Sequence, residues 1–176
     1  GNINISTTGA NALTVGSTIV TDAQTSVATP ATSGSITLGS GAGIVLSGAV
    51  STGNASVTNT GDDVATSGNI TLSAATTVSG ASTLTTGTAS ASGAAGADTA
   101  TTGSISVDGT SIRLSNATAA LTTGVATLTA ADTTADVATS GTITLGPALG
   151  ATTTLIDNGT NATAMKVRIG VPVDTT

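Results

Sequence analysis

Apolar and polar residues alternate along this chain in short runs. Ser35-Ile36-Thr37-Leu38 alternates, as do Asn69-Ile70-Thr71-Leu72 and Thr142-Ile143-Thr144-Leu145. A period of two predicts strands with one face buried. Each run opens on glycine: G-x-I-x-[ILV] begins at Gly34, Gly68, Gly103 and Gly141, and Gly1 opens the variant GNINI. These glycines are 33, 34, 35 and 38 residues apart, so the chain divides into units of about 35 residues: 1–33, 34–67, 68–102, 103–140 and 141–176. The units also close alike, on TPATS at 29–33, DVATS at 63–67, DTATT at 98–102 and DVATS at 136–140.

Each unit divides again at a second small-polar turn, at Gly53, Gly87 and Gly124. Counted from Gly34, the intervals run 19, 15, 19, 16, 21 and 17, alternating long and short. Glycine supplies the permissive backbone of a sharp corner. No sustained 3.6-residue period with helix caps is present. The Ala-rich stretch 89–100 has helical propensity, but its interleaved Gly and Ser and its place in the repeat argue for strand.

Short strands, tight corners and a fixed period predict an all-β fold, a parallel β-solenoid in which like residues stack about 4.8 Å apart. Two coil lengths compete. One coil per half-unit gives about ten short coils and a rod of roughly 45–50 Å, and the alternating spacing favours it. One coil per full unit gives a wider rod of roughly 24 Å. The half from Gly87 to Thr102 favours the second, since it has no Val, Ile or Leu to line a coil of its own. We take ten coils grouped in five units as the expectation. An antiparallel β-sandwich of the pilin-subunit type is the competing architecture.

Composition sharpens this. Of 176 residues, 41 are Thr, 30 Ala, 23 Gly and 20 Ser, and there is no Phe, Trp, Tyr, His, Cys or Glu. Without aromatics, a compact globule would lack its largest buried areas. A narrow solenoid packed with small residues does not need them. Only 7% of residues are charged, Pro is limited to 3 and mean hydropathy is +0.39, which argues against disorder. Disulfides, thiolate metal sites and histidine-based catalysis are excluded. Nine Asp against Arg113, Lys166 and Arg168 leave a net charge of -6, which does not suit nucleic acid. Polar residues interrupt every apolar run well short of a spanning helix, and no aromatic girdle marks a membrane barrel. No basic leader opens the sequence. Enzyme activity is not expected, because no matched acid and base groups are evident.

Three features invite a function. Asp63, Asp98 and Asp136 each fall five residues before a corner glycine, so they stack in an axial row, with Asp22, Asp62 and Asp132 in nearby loop segments. Such a row suits Ca²⁺, a hard cation that takes several oxygen ligands. The competing reading is that each Asp caps its own turn. Thr-x-Thr pairs at Thr83/Thr85, Thr127/Thr129, Thr142/Thr144 and Thr152/Thr154 suggest an ice-binding face, but they fall at different points of the repeat. Met165-Lys166-Val167-Arg168-Ile169 alternates apolar with basic near the end of the chain. It reads as a self-association strand, as an edge strand guarded by its charges, or as an ordinary coil with a basic outer face. Six N-glycosylation sequons, at Asn4, Asn54, Asn69, Asn116, Asn158 and Asn161, barely exceed chance in so Ser/Thr-rich a chain.

GSITL…GIVLSGAVSTG at 34–53 and GNITLSAATTVSG at 68–80 resemble the β-helix repeats of filamentous-haemagglutinin-like secreted bacterial proteins. The resemblance implies a right-handed parallel β-helix, an extracellular or cell-surface location, and work in adhesion or filament building. The chain departs from that family in its alternating spacing and in lacking the family's amino-terminal secretion domain. The expected role is an extracellular structural protein of a filament, sheath or adhesin stalk. Its expected partners are further copies of itself or neighbouring repeats of a longer chain. An ice-binding or calcium-dependent module on the same solenoid is the alternative, with Ca²⁺ as the only cofactor considered.

Overall fold

Alternation becomes strand wherever it was read. The first coil carries five short strands: Ile3–Thr7, Leu13–Val15, Ile19–Val20, Gln24–Ser26 and Ala31–Thr32. The second repeats them as Ile36–Ser40, Ile44–Leu46, Val50–Ser51, Ala55–Asn59 and Val64–Thr66. Equivalent strands of successive coils pair in parallel and build five stacked sheets, here A to E in their order around the coil. The computed structural model describes residues 1–28, 30–114, 120–129 and 135–146, with the backbone strands Leu155–Asp157, Lys166–Arg168 and Val173–Asp174. The fold is a parallel β-solenoid of about four turns, with coils of about 34 residues.

The register follows the sequence repeat. In sheet A, Ile3 aligns with Ile36, Ile70, Ile105 and Ile143, and Ile5 with Leu38, Leu72, Val107 and Leu145. In sheet C the column is Ile19, Val50, Leu84, Leu121 and Val167. Period-two patterning fixes this register, since a slip of one residue would turn every aliphatic to water.

The expectation of ten coils is corrected: one coil is one full unit. The two half-units do not stack on each other. They lie side by side as two lobes of a single turn. The long half, Gly34 to Gly53, forms sheets A, B and C, and the short half, Gly53 to Gly68, forms D and E. Ile36, Leu38, Ile44, Leu46 and Val50, with their equivalents in other coils, fill the larger lobe. Ala31, Ala55, Val57, Ala65, Ala89, Ala91, Ala100, Ala126 and Leu128 fill the smaller. The Ala-only half 87–102 could not line a coil alone. As one lobe it needs only a thin interior, and it packs on Ala55 and Val57 before it and Ala126 and Leu128 after it. About four turns, each rising roughly 4.8 Å, make a rod of about 19 Å.

Candidate functional site

The lobes meet at a waist, and the residues there are Ser and Thr. Continuing the alternation past Val50 and Ser51 turns Thr52 inward, where it is buried. Thr52 Oγ1 donates across the interior to the Gly68 carbonyl (2.9 Å) and accepts the Gly87 N–H of the next coil (3.0 Å). Ser67, at the opposite corner, donates to the Gly87 carbonyl (2.6 Å) and accepts the Gly103 N–H (2.8 Å). Thr21, Ser33 and Thr86 repeat the scheme. Each hydroxyl thus ties its own coil across the waist and to the coil above. The result is a buried zipper that satisfies the corner peptides where sheet pairing stops. The corner glycines were legible as turns. The inward hydroxyl beside each was missed, although a Ser or Thr immediately before every corner Gly was its signal.

The three aspartates do form one axial row, at the loops that join sheets D and E. Asp63 and Asp98 are fully buried and Asp136 is half-buried. Asp63 Oδ2 accepts the Asn59 N–H (3.0 Å), and Asp98 Oδ2 accepts the Gly93 N–H (2.8 Å), so each closes its own loop. Asp98 Oδ1 accepts the Asp63 N–H (3.0 Å), and Asp136 Oδ1 the Asp98 N–H (2.9 Å), so each also clamps the coil before it. Outside the row, exposed Asp62 accepts the Ala97 N–H (3.0 Å). Asp63 Oδ1 and Asp136 Oδ2 are buried without a hydrogen-bond partner among the described residues. Among those residues no group of three or more His, Cys, Asp or Glu side chains is gathered so as to hold a metal ion.

Burial pushes the Asp63 carboxyl above its ordinary value of 3.8, and the charge of Asp98 pushes the same way, against the amides of Asn59 and Ser92. The sign of the consequence is the reverse of ordinary acid denaturation. A folded pKa above the unfolded one means that the native state holds the proton more tightly. The contribution of Asp63 is therefore most favourable at and below pH 3.8 and is lost as pH rises through the folded pKa. Relative to Asp63→Asn, wild-type stability should fall as pH is raised from about 4 toward neutrality. Urea melts of both proteins across that range measure it, and a wild-type advantage that grows with pH would contradict the assignment.

The Thr-x-Thr pairs scatter over the rod. Thr85 lies in sheet C, Thr127 in sheet D and Thr144 in sheet A, with Thr83, Thr129 and Thr142 just outside those strands, while Thr152/Thr154 lie outside the described residues. What does run axially is a set of single hydroxyl columns, such as Thr37, Thr71, Ser106 and Thr144 on sheet A and Thr32, Thr66, Thr101 and Thr139 on sheet E. Among the sequons, exposed Asn54 and Asn69 use their side-chain carbonyls to hold Thr88 N–H (2.9 Å) and Ser104 N–H (2.7 Å) of the next coil.

The basic segment enters the solenoid itself. Lys166–Arg168 is the last strand of sheet C, with Lys166 beside Ala120, Val167 beside Leu121 and Arg168 beside Thr122. It is an edge strand of its own chain's sheet. Met165 and Ile169 lie outside the described residues. No family model, curated protein or solved structure matches the chain, so what stands is the parallel β-solenoid fold.

Proposed function

We propose that this chain is an extracellular structural protein, a solenoid rod that forms or contributes to a surface filament, sheath or adhesin stalk. Copies, or neighbouring repeats of a longer chain, join at the rod ends, where strand edges such as Lys166–Arg168 lie. The observation that carries this reading is axial continuity. Cores and hydroxyl zipper repeat from coil to coil, so load along the rod is shared by five sheets of backbone hydrogen bonds. The weakly charged, hydroxyl-rich exterior suits a surface that meets water and neighbouring rods. The resemblance of the 34–53 and 68–80 segments to secreted β-helix repeats adds weight to the location.

Immunogold labelling of intact producing cells tests the proposal. Label on appendages or an outer layer is expected, with elongated particles in the detached material. Label confined to the cell interior would sink it.

A further inference from the structure

The carboxyls in the loops between sheets D and E are not hydrogen-bonded alike. Asp98 uses both oxygens as acceptors, Oδ1 from the Asp63 N–H (3.0 Å) and Oδ2 from the Gly93 N–H (2.8 Å). Two amides on two oxygens suit an ionised carboxylate, which only accepts. Asp63 is one-sided. Its Oδ2 accepts the Asn59 N–H (3.0 Å), while Oδ1 has no partner and the residue is 0% exposed. Nothing around Asp63 offsets a second charge. Residues 54–67 and 88–102, the smaller lobe of its own coil and of the next, contain no Lys, Arg or His, and residues 23–33 of the coil before contain no titratable side chain. The acidic groups around it are Asp98, one coil on, and its chain neighbour Asp62, which is exposed and holds the Ala97 N–H (3.0 Å). Asp136 lies beyond Asp98 and holds the Asp98 N–H (2.9 Å). A buried charge with neither counter-ion nor full hydrogen bonding costs far more than a buried neutral acid, so such a group keeps its proton instead.

We propose that Asp63 and Asp98 form a clasp that acid closes: Asp63 sits as the neutral acid beside the Asp98 carboxylate, and losing its proton parts the two coils at this loop of the smaller lobe. Closed, the clasp joins the coils twice, through the Asp63 N–H on Asp98 Oδ1 and through the Thr99 N–H on the Asp63 carbonyl (2.7 Å). The upward push on the Asp63 carboxyl, from burial first and from the Asp98 charge as well, acts in the same direction. Because the folded pKa lies above 3.8, the clasp is tightest at and below that pH and loosens as pH rises through the folded pKa. The loosening is local. Hydroxyls, which do not titrate in this range, hold the waist, and aliphatic side chains fill the larger lobe. A rise in pH therefore loosens one lobe and leaves the other stacked.

The test compares wild type with Asp63→Asn, which keeps an acceptor for the Asn59 N–H and removes the proton site. Carbon-13 NMR follows the Asp63 carboxyl from about pH 3 to about pH 8, across the range in which a raised carboxyl titrates. Hydrogen exchange, with each rate divided by that of the unstructured amide at the same pH, follows the amides of Asp63 and Thr99, and those of Gly87 and Gly103 serve as the waist reference. The Asp63 carboxyl should titrate above 3.8. As it does so, protection at Asp63 and Thr99 should fall roughly fivefold or more, the lower end of ordinary coupling between two linked sites. Gly87 and Gly103 should hold their protection, and in Asp63→Asn the amides at 63 and 99 should keep theirs throughout. A wild-type Asp63 carboxyl that titrates at or below 3.8 overturns the clasp whether or not the variant folds. Loss of protection that is equal at lobe and waist, or that persists in Asp63→Asn, overturns it too, as does protection at Asp63 and Thr99 that does not change while the carboxyl titrates. These readings concern single chains in solution, so they stand apart from where the protein resides and whether it assembles.

Discussion

Replacing Gly68 by Ala should cost upward of about 3 kcal/mol, the top of the usual range for overpacking. The new Cβ would lie 2.0 Å from the Gly34 carbonyl oxygen, 2.4 Å from its carbon and 2.8 Å from the Ser35 nitrogen. All three are backbone atoms, so no rotamer change relieves them. Nor can the corner simply lift, because the Gly68 N–H is held by Ser33 Oγ and its carbonyl by Thr52 Oγ1. For a chain of this length the loss corresponds to a fall in Tm of roughly 6–12 °C. Gly61→Ala is the control, since the nearest atom to its added Cβ is Asn59 Oδ1, 4.0 Å away. Thermal melts of the two variants decide the matter. A Gly68→Ala protein melting within about 2 °C of wild type, less than about 1 kcal/mol on this scale, would mean that the corners are not stacked as described.

That corner also shows what the sequence could and could not disclose. The glycine spacing and the two-residue alternation carry the strands, their register and the direction of stacking, because burial and corner sterics act on single residues. Whether two half-units stack or lie side by side is a matter of which surfaces meet, and local pattern does not encode it. The alternating 19 and 15–17 residue intervals look like two kinds of coil and are two kinds of lobe. Residues that did mark the difference were Ala89, Ala91 and Ala100. Facing inward with no larger residue in their own half-unit, they require a thin interior that a lobe has and a free-standing coil does not. Asp63, Asp98 and Asp136 were legible as a row for the same reason as the glycines. Their amide partners on Asn59 and Gly93 depend on how each loop folds back, four or five residues away, and the repeat does not contain that.

The waist gives the other large expected effect. Thr52→Val keeps the volume and removes the hydroxyl. It should leave the Gly68 carbonyl and the Gly87 N–H without their side-chain partner in a site that is 5% exposed. An unmet buried polar group costs about 1–3 kcal/mol, so two of them predict a loss of roughly 2–6 kcal/mol. Thr52→Ser should recover most of it, since Ser33 and Ser67 make the same two bonds in the facing column. Hydrogen exchange locates the damage: the Gly87 amide should exchange faster in Thr52→Val than in Thr52→Ser. Unchanged exchange at Gly87 would mean that the hydroxyl does not carry the corner. Coupling provides a further check. Thr52 and Ser67 hold opposite sides of Gly87, one its N–H and the other its carbonyl. Groups that share a partner are not independent, and Thr52→Val with Ser67→Ala should depart from additivity by about 0.5–3 kcal/mol. Simple additivity would reduce the zipper to separate turn caps. A measured coupling would make it one axial element, in which each coil's corner is held by the coil before it and holds the coil across the waist.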